Sequence, residues 1–327
     1  MFSELENEGK KKAKKFEKML SKGEVGYFDV DDFIDIIDYF QIKGHNSKVK
    51  SALDAAMEQH PNTSSLFLRK ARLYNNTGKF NKAISILEDV KAMEPYNGEV
   101  FLSIYRAYNQ INEHEKAIEA MERAFELLEE VYPEQYIDLA MEYEDVDRID
   151  RSIEVLWEGI TKYPENDSLL HELAFCYDIS DKHDESIQAF SAFIEHQPYS
   201  YIAWYNLGNA YLKKNKYKKA IEAFEFCLVI DENYASAHFN KANAHVYLKE
   251  YNKALENYKE CLKLEDPLAV TYCYMGECYY HLEDKENAVY CYYKAIQLDE
   301  KFSEAWVGMA NIKEESGNHQ AALKLYK

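Results

Sequence analysis

Histidine, cysteine and carboxylate residues are the natural carriers of catalysis and metal binding, and this chain has all three in number. His238 and His245 lie two helical turns apart, which puts them on one face of a helix. Two imidazoles so placed suit a metal ion. Both, however, match Trp204 and Tyr211 of the preceding segment, which carries the same pattern with aromatic residues in those positions, so they read as packing residues. The six cysteines, Cys176, Cys227, Cys261, Cys273, Cys278 and Cys291, form no CxxC pair and no zinc-ligand spacing. Cys227 and Cys261 are separated by the same interval as Trp204 and His238 and so share one column, as core residues would. Adjacent acids such as Asp31/Asp32 and Glu129/Glu130 are too ordinary among 58 acidic residues to mark general acid–base work. The chain has no P-loop, GxGxxG, HExxH or GxSxG. The expectation is a protein that is not an enzyme, with no cofactor and no metal.

Binding chemistry is better represented. Asn206 and Asn209 recur at that same interval as Asn240 and Asn243, alongside Tyr205, Lys213 and, further on, Tyr274. A carboxamide donates and accepts at once, so a row of them can pair with the backbone of an extended peptide whatever its sequence. Upstream, Arg69, Arg72, Arg106 and Asn109, with Asn75 and Asn76, make a cationic and carboxamide patch. Guanidinium forks suit carboxylates. Asp35, Asp38, Glu134, Asp138, Glu172 and Asp178 lie at matching positions in neighbouring segments, so the arginines either meet a partner's acids or are neutralised at home. The tyrosine-rich runs at 273–280 and 290–294 place Tyr279 and Tyr292 in core columns, leaving Tyr274 and Tyr280 for an exposed face.

The elements that position these residues are written most plainly in residues 201–234, YIAWYNLGNAYLKKNKYKKAIEAFEFCLVIDENY. Trp204, Leu207, Gly208 and Tyr211 fall on one helical face, and a polar turn, KKNK, leads into a second helix carrying Ala220 and Phe224. A glycine inside a helix costs about 1 kcal/mol relative to alanine, which implies a neighbour pressed against it. Trp-x2-Leu-Gly-x2-Tyr followed by Ala-x3-Phe resembles the tetratricopeptide repeat (TPR) pattern, and the likeness is to scaffold proteins of prokaryotic type. Steps of one family repeat, with a single step longer by one, carry Trp204 to His238, Tyr272 and Trp306, and back to Leu170, Tyr136, Phe101, Phe67 and Phe33. Ala220 leads likewise to Ala254, Ala288 and Ala322, and back to Ser186, Ser152, Ala117, Ala83 and Val49.

The resemblance implies an all-α, right-handed superhelical solenoid of antiparallel helix pairs whose concave groove is lined by each first helix. The repeats expected are 30–63, 64–97, 98–132, 133–166, 167–200, 201–234, 235–268, 269–302 and a partial 303–327, preceded by a charged helix and connector over 1–29. Pro61, Pro95, Pro133, Pro164, Pro198 and Pro267 fall at or beside the junctions. In the leading segment Phe2, Leu5, Phe16, Met19 and Leu20 offer a weak apolar face for capping, and the run KKKAKK reads as its solvated side.

The implied partner is a protein or an extended peptide. One family variant, the carboxylate clamp for chaperone tails, fails here: Asn209 and Asn240 match its asparagines, but its cation positions hold Tyr205, Val270 and Tyr274. A net charge of −19 argues against nucleic acid. No apolar run is long enough for a membrane span, and no secretory signal opens the chain. Unpaired cysteines point to a reducing, cytoplasmic setting. At the other end, Leu325 and Tyr326 are left without a following helix. This suggests self-association through the uncapped end, or a regulatory or targeting region of a larger enzyme, such as a glycosyltransferase, or of a sensor.

Overall fold

The computed structural model describes residues 2–23 and 26–325, and the side chains of residues 8–23, 26–320 and 322–325. The described residues are helices and short turns, with no strand: α1 (Phe2–Leu20), α2 (Val30–Ile42), α3 (Asn46–Gln59), α4 (Ser64–Asn76), α5 (Phe80–Met93), α6 (Gly98–Asn109), α7 (His114–Leu127), α8 (Pro133–Asp145), α9 (Ile149–Lys162), α10 (Asp167–Ile179), α11 (His183–His196), α12 (Tyr201–Lys213), α13 (Tyr217–Ile230), α14 (Ala235–Tyr247), α15 (Tyr251–Leu264), α16 (Ala269–His281), α17 (Lys285–Leu298), α18 (Ser303–Glu315) and α19 (His319–Leu325). They form two compact units, residues 1–155 and 156–327. Each unit is an all-α stack of helix pairs in which successive helices are the main packing partners.

The turn inside each pair has one construction. Gly44, Gly78, Asn112, Asp147, Asp181, Asn215, Lys249, Glu283 and Gly317 all take positive φ, between 54° and 77°. They follow one another at the repeat interval. The next residue's N–H then reaches back to a carbonyl near the end of the first helix, as from Lys216 to Tyr211 at 2.9 Å and from Glu250 to His245 at 2.9 Å. This is a Schellman closure, which satisfies carbonyls that the helix end leaves open. Side-chain caps open several helices: the oxygens of Asp29, Asn166, Ser200 and Asp284 accept from backbone N–H groups of the first turn.

In residues 1–155 the apolar interior begins at α1. Ala13 and Phe16 are buried against Phe28, Phe33, Ile36 and Leu53. Lys12 reaches Asp32 at 2.8 Å and Asp35 at 2.6 Å, so part of the basic run fastens α1 to α2. These hydrogen bonds raise the Lys12 pKa. Met19 packs on the same cluster and Leu20 is exposed. The side chains of Phe2 and Leu5 lie outside the described residues.

In residues 156–327 the repeat columns meet as their types demand. An added Cβ on Gly208 would lie 2.5 Å from the Phe224 ring, and one on Gly276 would lie 2.8 Å from Tyr292. The glycines are there because an aromatic ring from the second helix takes the space. Trp204 and Trp306 each donate from Nε1 to the carbonyl six residues upstream, at 2.9 Å, and His238 Nε2 sits 3.3 Å from the equivalent carbonyl of Glu232. His238 therefore fills the tryptophan position in hydrogen bonding as well as in register. His245 is 4% exposed and faces Glu250 at 2.7 Å. All six cysteines are buried and none is in a disulfide. Burial pushes the Cys227 thiol up to about 12 and that of Cys291 to about 11, which suits packing groups rather than nucleophiles. Tyr326 lies outside the described residues. Among those described, no helix is long and apolar enough to cross a membrane.

Candidate functional site

In residues 1–155 the C-terminal part of α2 and the helices α4, α6 and α8 enclose a polar cavity of about 810 Å³. Its walls are successive first helices of the pairs, and the side chains on them are mostly charged groups and carboxamides. Arg72, Asn75 and Asn76 come from α4, Arg106 and Asn109 from α6, and Asp138, Glu142 and Asp145 from α8. The structure thus brings Arg72, Arg106 and Asn109 together. It does not bring Arg69 with them. That guanidinium is spent on Asp38, with Nε donating to Oδ1 at 3.0 Å and Nη2 to Oδ2 at 2.7 Å. A bidentate pair of this kind holds α4 to α2.

The other two arginines differ. Arg106 faces Asp138, and its charge, with the Tyr105 hydroxyl, opposes the rise that burial gives the Asp138 pKa. Arg72 is exposed, and among the described residues no carboxylate lies in ion-pair range of it. Two more groups are unspent: Gln41 Oε1 and Asn75 Oδ1 are buried acceptor oxygens with no donor. Both belong to residues that line the cavity. A buried polar atom without a partner costs about 1–3 kcal/mol, so two in one wall make an unusual concentration.

Asn109 donates from Nδ2 to Glu142 Oε1 at 2.5 Å, and the other carboxylate oxygen of Glu142 lies 2.9 Å from His114 Nδ1. Glu142 is buried, with 1% of its surface exposed. His114 is also 3.3 Å from Asp145 Oδ2. Nothing in the sequence marks this group, because His114 precedes Glu142 by 28 residues and stands in no recognised motif.

In residues 156–327 a second cavity, of about 420 Å³, lies along α10, α12 and α14. Tyr205, Asn206, Asn209, Lys213 and Asn240 line it, as their shared helix face implies. Their polar groups are largely committed. Asn206 is only 4% exposed, and its Nδ2 donates to the Leu170 carbonyl at 3.1 Å. It fastens α12 to α10 rather than presenting a free amide. Tyr258 donates to Asn243 at 2.6 Å, Asn243 to Asn240 at 3.4 Å, and Asn240 to Asn209 at 2.8 Å and to the Tyr205 hydroxyl at 3.1 Å. Lys213 is paired with Asp178 at 2.7 Å. Tyr274 stacks on Phe239, centroids 5.9 Å apart, and burial raises its phenol pKa. Tyr280 donates to Glu315.

Models of the tetratricopeptide repeat match residues 64–97, 201–234, 235–267 and 269–302. This is a tetratricopeptide repeat protein. No curated protein matches its sequence. Among solved structures, the C-terminal part of a TPR repeat-containing protein from Cytophaga hutchinsonii superposes with a TM-score of 0.55 at 15% identity, covering 74% of this chain and 98% of that one. MamA aligns with a TM-score of 0.45 at 21% identity, over 47% of this chain and 90% of its own. The pilF protein of Pseudomonas aeruginosa gives 0.49 at 18%, over 65% and 97%. At such identities the likeness is one of fold. The TPR solenoid accounts for the stacked pairs and the aromatic–glycine contacts.

Proposed function

We propose that this TPR protein is a non-catalytic scaffold that holds an extended segment of a partner protein in the polar groove of residues 1–155. One observation carries the reading: the buried oxygens Gln41 Oε1 and Asn75 Oδ1 lack donors, in a cavity that also presents the unpaired Arg72. An extended peptide offers backbone N–H groups every few ångströms, and a turn of either carboxamide towards the groove lets these supply the missing donors. A carboxylate on the same peptide meets Arg72 in the bidentate geometry guanidinium favours. The groove is formed by stacked helices, so little ordering cost falls on the receptor.

A random-peptide display selection against the full chain tests this, with affinities of the enriched peptides measured by fluorescence anisotropy. Charge reversal, Arg72→Glu, is expected to weaken them by roughly tenfold or more, since charge-assisted hydrogen bonds contribute about 1.5–3 kcal/mol. Asn243→Ala, in the other unit, is expected to leave them unchanged. Selection without enrichment, or peptides indifferent to Arg72→Glu, would sink the proposal.

A further inference from the structure

The geometry points to a divalent transition-metal site formed by His114, Glu142 and Asp145, and we propose that it binds zinc or a metal of similar preference. His114 Nδ1 lies 2.9 Å from Glu142 Oε2 and 3.3 Å from Asp145 Oδ2. One ligand atom from each of the three residues falls within 4.8 Å of the others. With metal–ligand bonds of about 2.0–2.2 Å, ligand atoms around a tetrahedral ion stand roughly 3.4 Å apart. The two separations from His114 are therefore already near the spacing that an ion imposes, and the two carboxylate oxygens lie within 4.8 Å of each other.

The second observation is the burial of Glu142. A carboxylate taken out of water needs a positive partner, and among the described residues His114 is the one basic side chain in ion-pair range of this one. Its Oε1 is met by the neutral amide of Asn109 at 2.5 Å, which fixes the carboxylate with Oε2 towards His114. When His114 is neutral and its ring nitrogen is free to ligate, a bound dication supplies the positive charge instead. Glu142 and Asp145 are three residues apart on α8 and so share a face, while His114 begins α7 and enters from a separate helix. One imidazole and two carboxylates favour zinc, cobalt or manganese over magnesium or calcium, whose ligands are oxygens alone. Three protein ligands leave a fourth position for water or a partner's group.

Cobalt(II) is titrated into the full chain and followed by its visible ligand-field absorption. One saturable equivalent is expected, displaced by zinc and not by magnesium. His114→Ala and Asp145→Asn are each expected to lower the affinity by roughly tenfold or more. His183→Ala, at a separate pair where Nε2 is 2.9 Å from Asp181, is expected to leave it unchanged. Far-ultraviolet circular dichroism checks that each variant remains helical. Absence of saturable absorption in the unaltered chain overturns the assignment. So does undiminished affinity in His114→Ala and Asp145→Asn. The readout is metal occupancy alone, so an unproductive peptide selection does not bear on it.

Discussion

In residues 1–155 the carboxamide of Asn75 ends in a buried oxygen that accepts no hydrogen bond, beside an arginine with no acid in ion-pair range among the described residues. In residues 156–327 the carboxamides of Asn240 and Asn243 run into one another and into Tyr205, Asn209 and Tyr258. Both sets stand on first helices of their pairs. What differs is whether a side chain on the same or a neighbouring helix is long enough and of the right kind to close the bond. The second groove is held together by its polar groups; the first keeps some of them open. Polar groups left open cost stability, and such a cost is usual at functional sites.

The largest effect should separate the two kinds of asparagine. Asn206→Leu removes the amide that meets the Leu170 carbonyl inside a packed pair of helices, and is expected to cost about 1–3 kcal/mol. Asn75→Leu removes an acceptor that already lacks a donor, and is expected to change stability by about 0.5 kcal/mol or less, or to raise it. Urea unfolding of both variants measures the contrast. Equal destabilisation would break the comparison, because it would mean that the Asn75 oxygen is as fully used as the Asn206 amide.

A smaller effect lies in the turns. Residues 1–155 mostly give the left-handed position to the types that tolerate it: Gly44, Gly78, Asn112 and Asp147. Residues 156–327 place Lys249 there at φ 60° and Glu283 at φ 63°. Left-handed backbone costs a side-chain-bearing residue roughly 1–2 kcal/mol, and the greater freedom that glycine gives the unfolded chain offsets part of the gain from removing that strain. Lys249→Gly and Glu283→Gly are each expected to stabilise by about 0.5 kcal/mol, read as a raised urea midpoint. A lowered midpoint would show that these side chains make compensating contacts.

The same turns show how far the sequence could be read. Trp204, Leu207, Gly208, Tyr211, Ala220 and Phe224 identify a helix pair because each type has one packing reason, and the Gly208–Phe224 approach is the one their order implies. Lys249 and Glu283 carry no turn signal; only their distance from Asn215 and Gly317 reveals the position. For the grooves, helical spacing finds the face but not the partner. That Arg69 is consumed by Asp38 while Arg72 stays open depends on how two helices are rotated against each other, over a separation of 31 residues. The grouping of His114 with Glu142 and Asp145 is a product of packing in the same way. Asn206 is the instructive middle case: it borders the groove as its register requires, and is buried because α10 offers it a carbonyl.

The smallest effect concerns acid, where the two units use glutamate differently. In residues 1–155, hydrogen bonds from Ser64 and from Asn97, the latter at 2.7 Å, hold the Glu94 carboxyl below its ordinary 4.5. In residues 156–327, Glu250 is lowered by hydrogen bonds from His245 and Lys253, together with their charge. A depressed carboxylate binds fewer protons folded than unfolded around its ordinary value. Its contribution is therefore present above about 4.5 and is lost as pH falls through the lowered value. Glu94→Gln and Glu250→Gln should each flatten the acid limb of the stability curve. Salt then tells them apart. The neutral donors at Glu94 are hardly screened, whereas the exposed Lys253–Glu250 pair, 3.2 Å apart, is screened once salt of about 1 M brings the Debye length to about 3 Å. Thermal unfolding between pH 3 and 6 at low and high salt checks this. An acid limb at Glu94 as salt-sensitive as that at Glu250 would mean that both units rely on charge there, and that their difference is confined to the grooves.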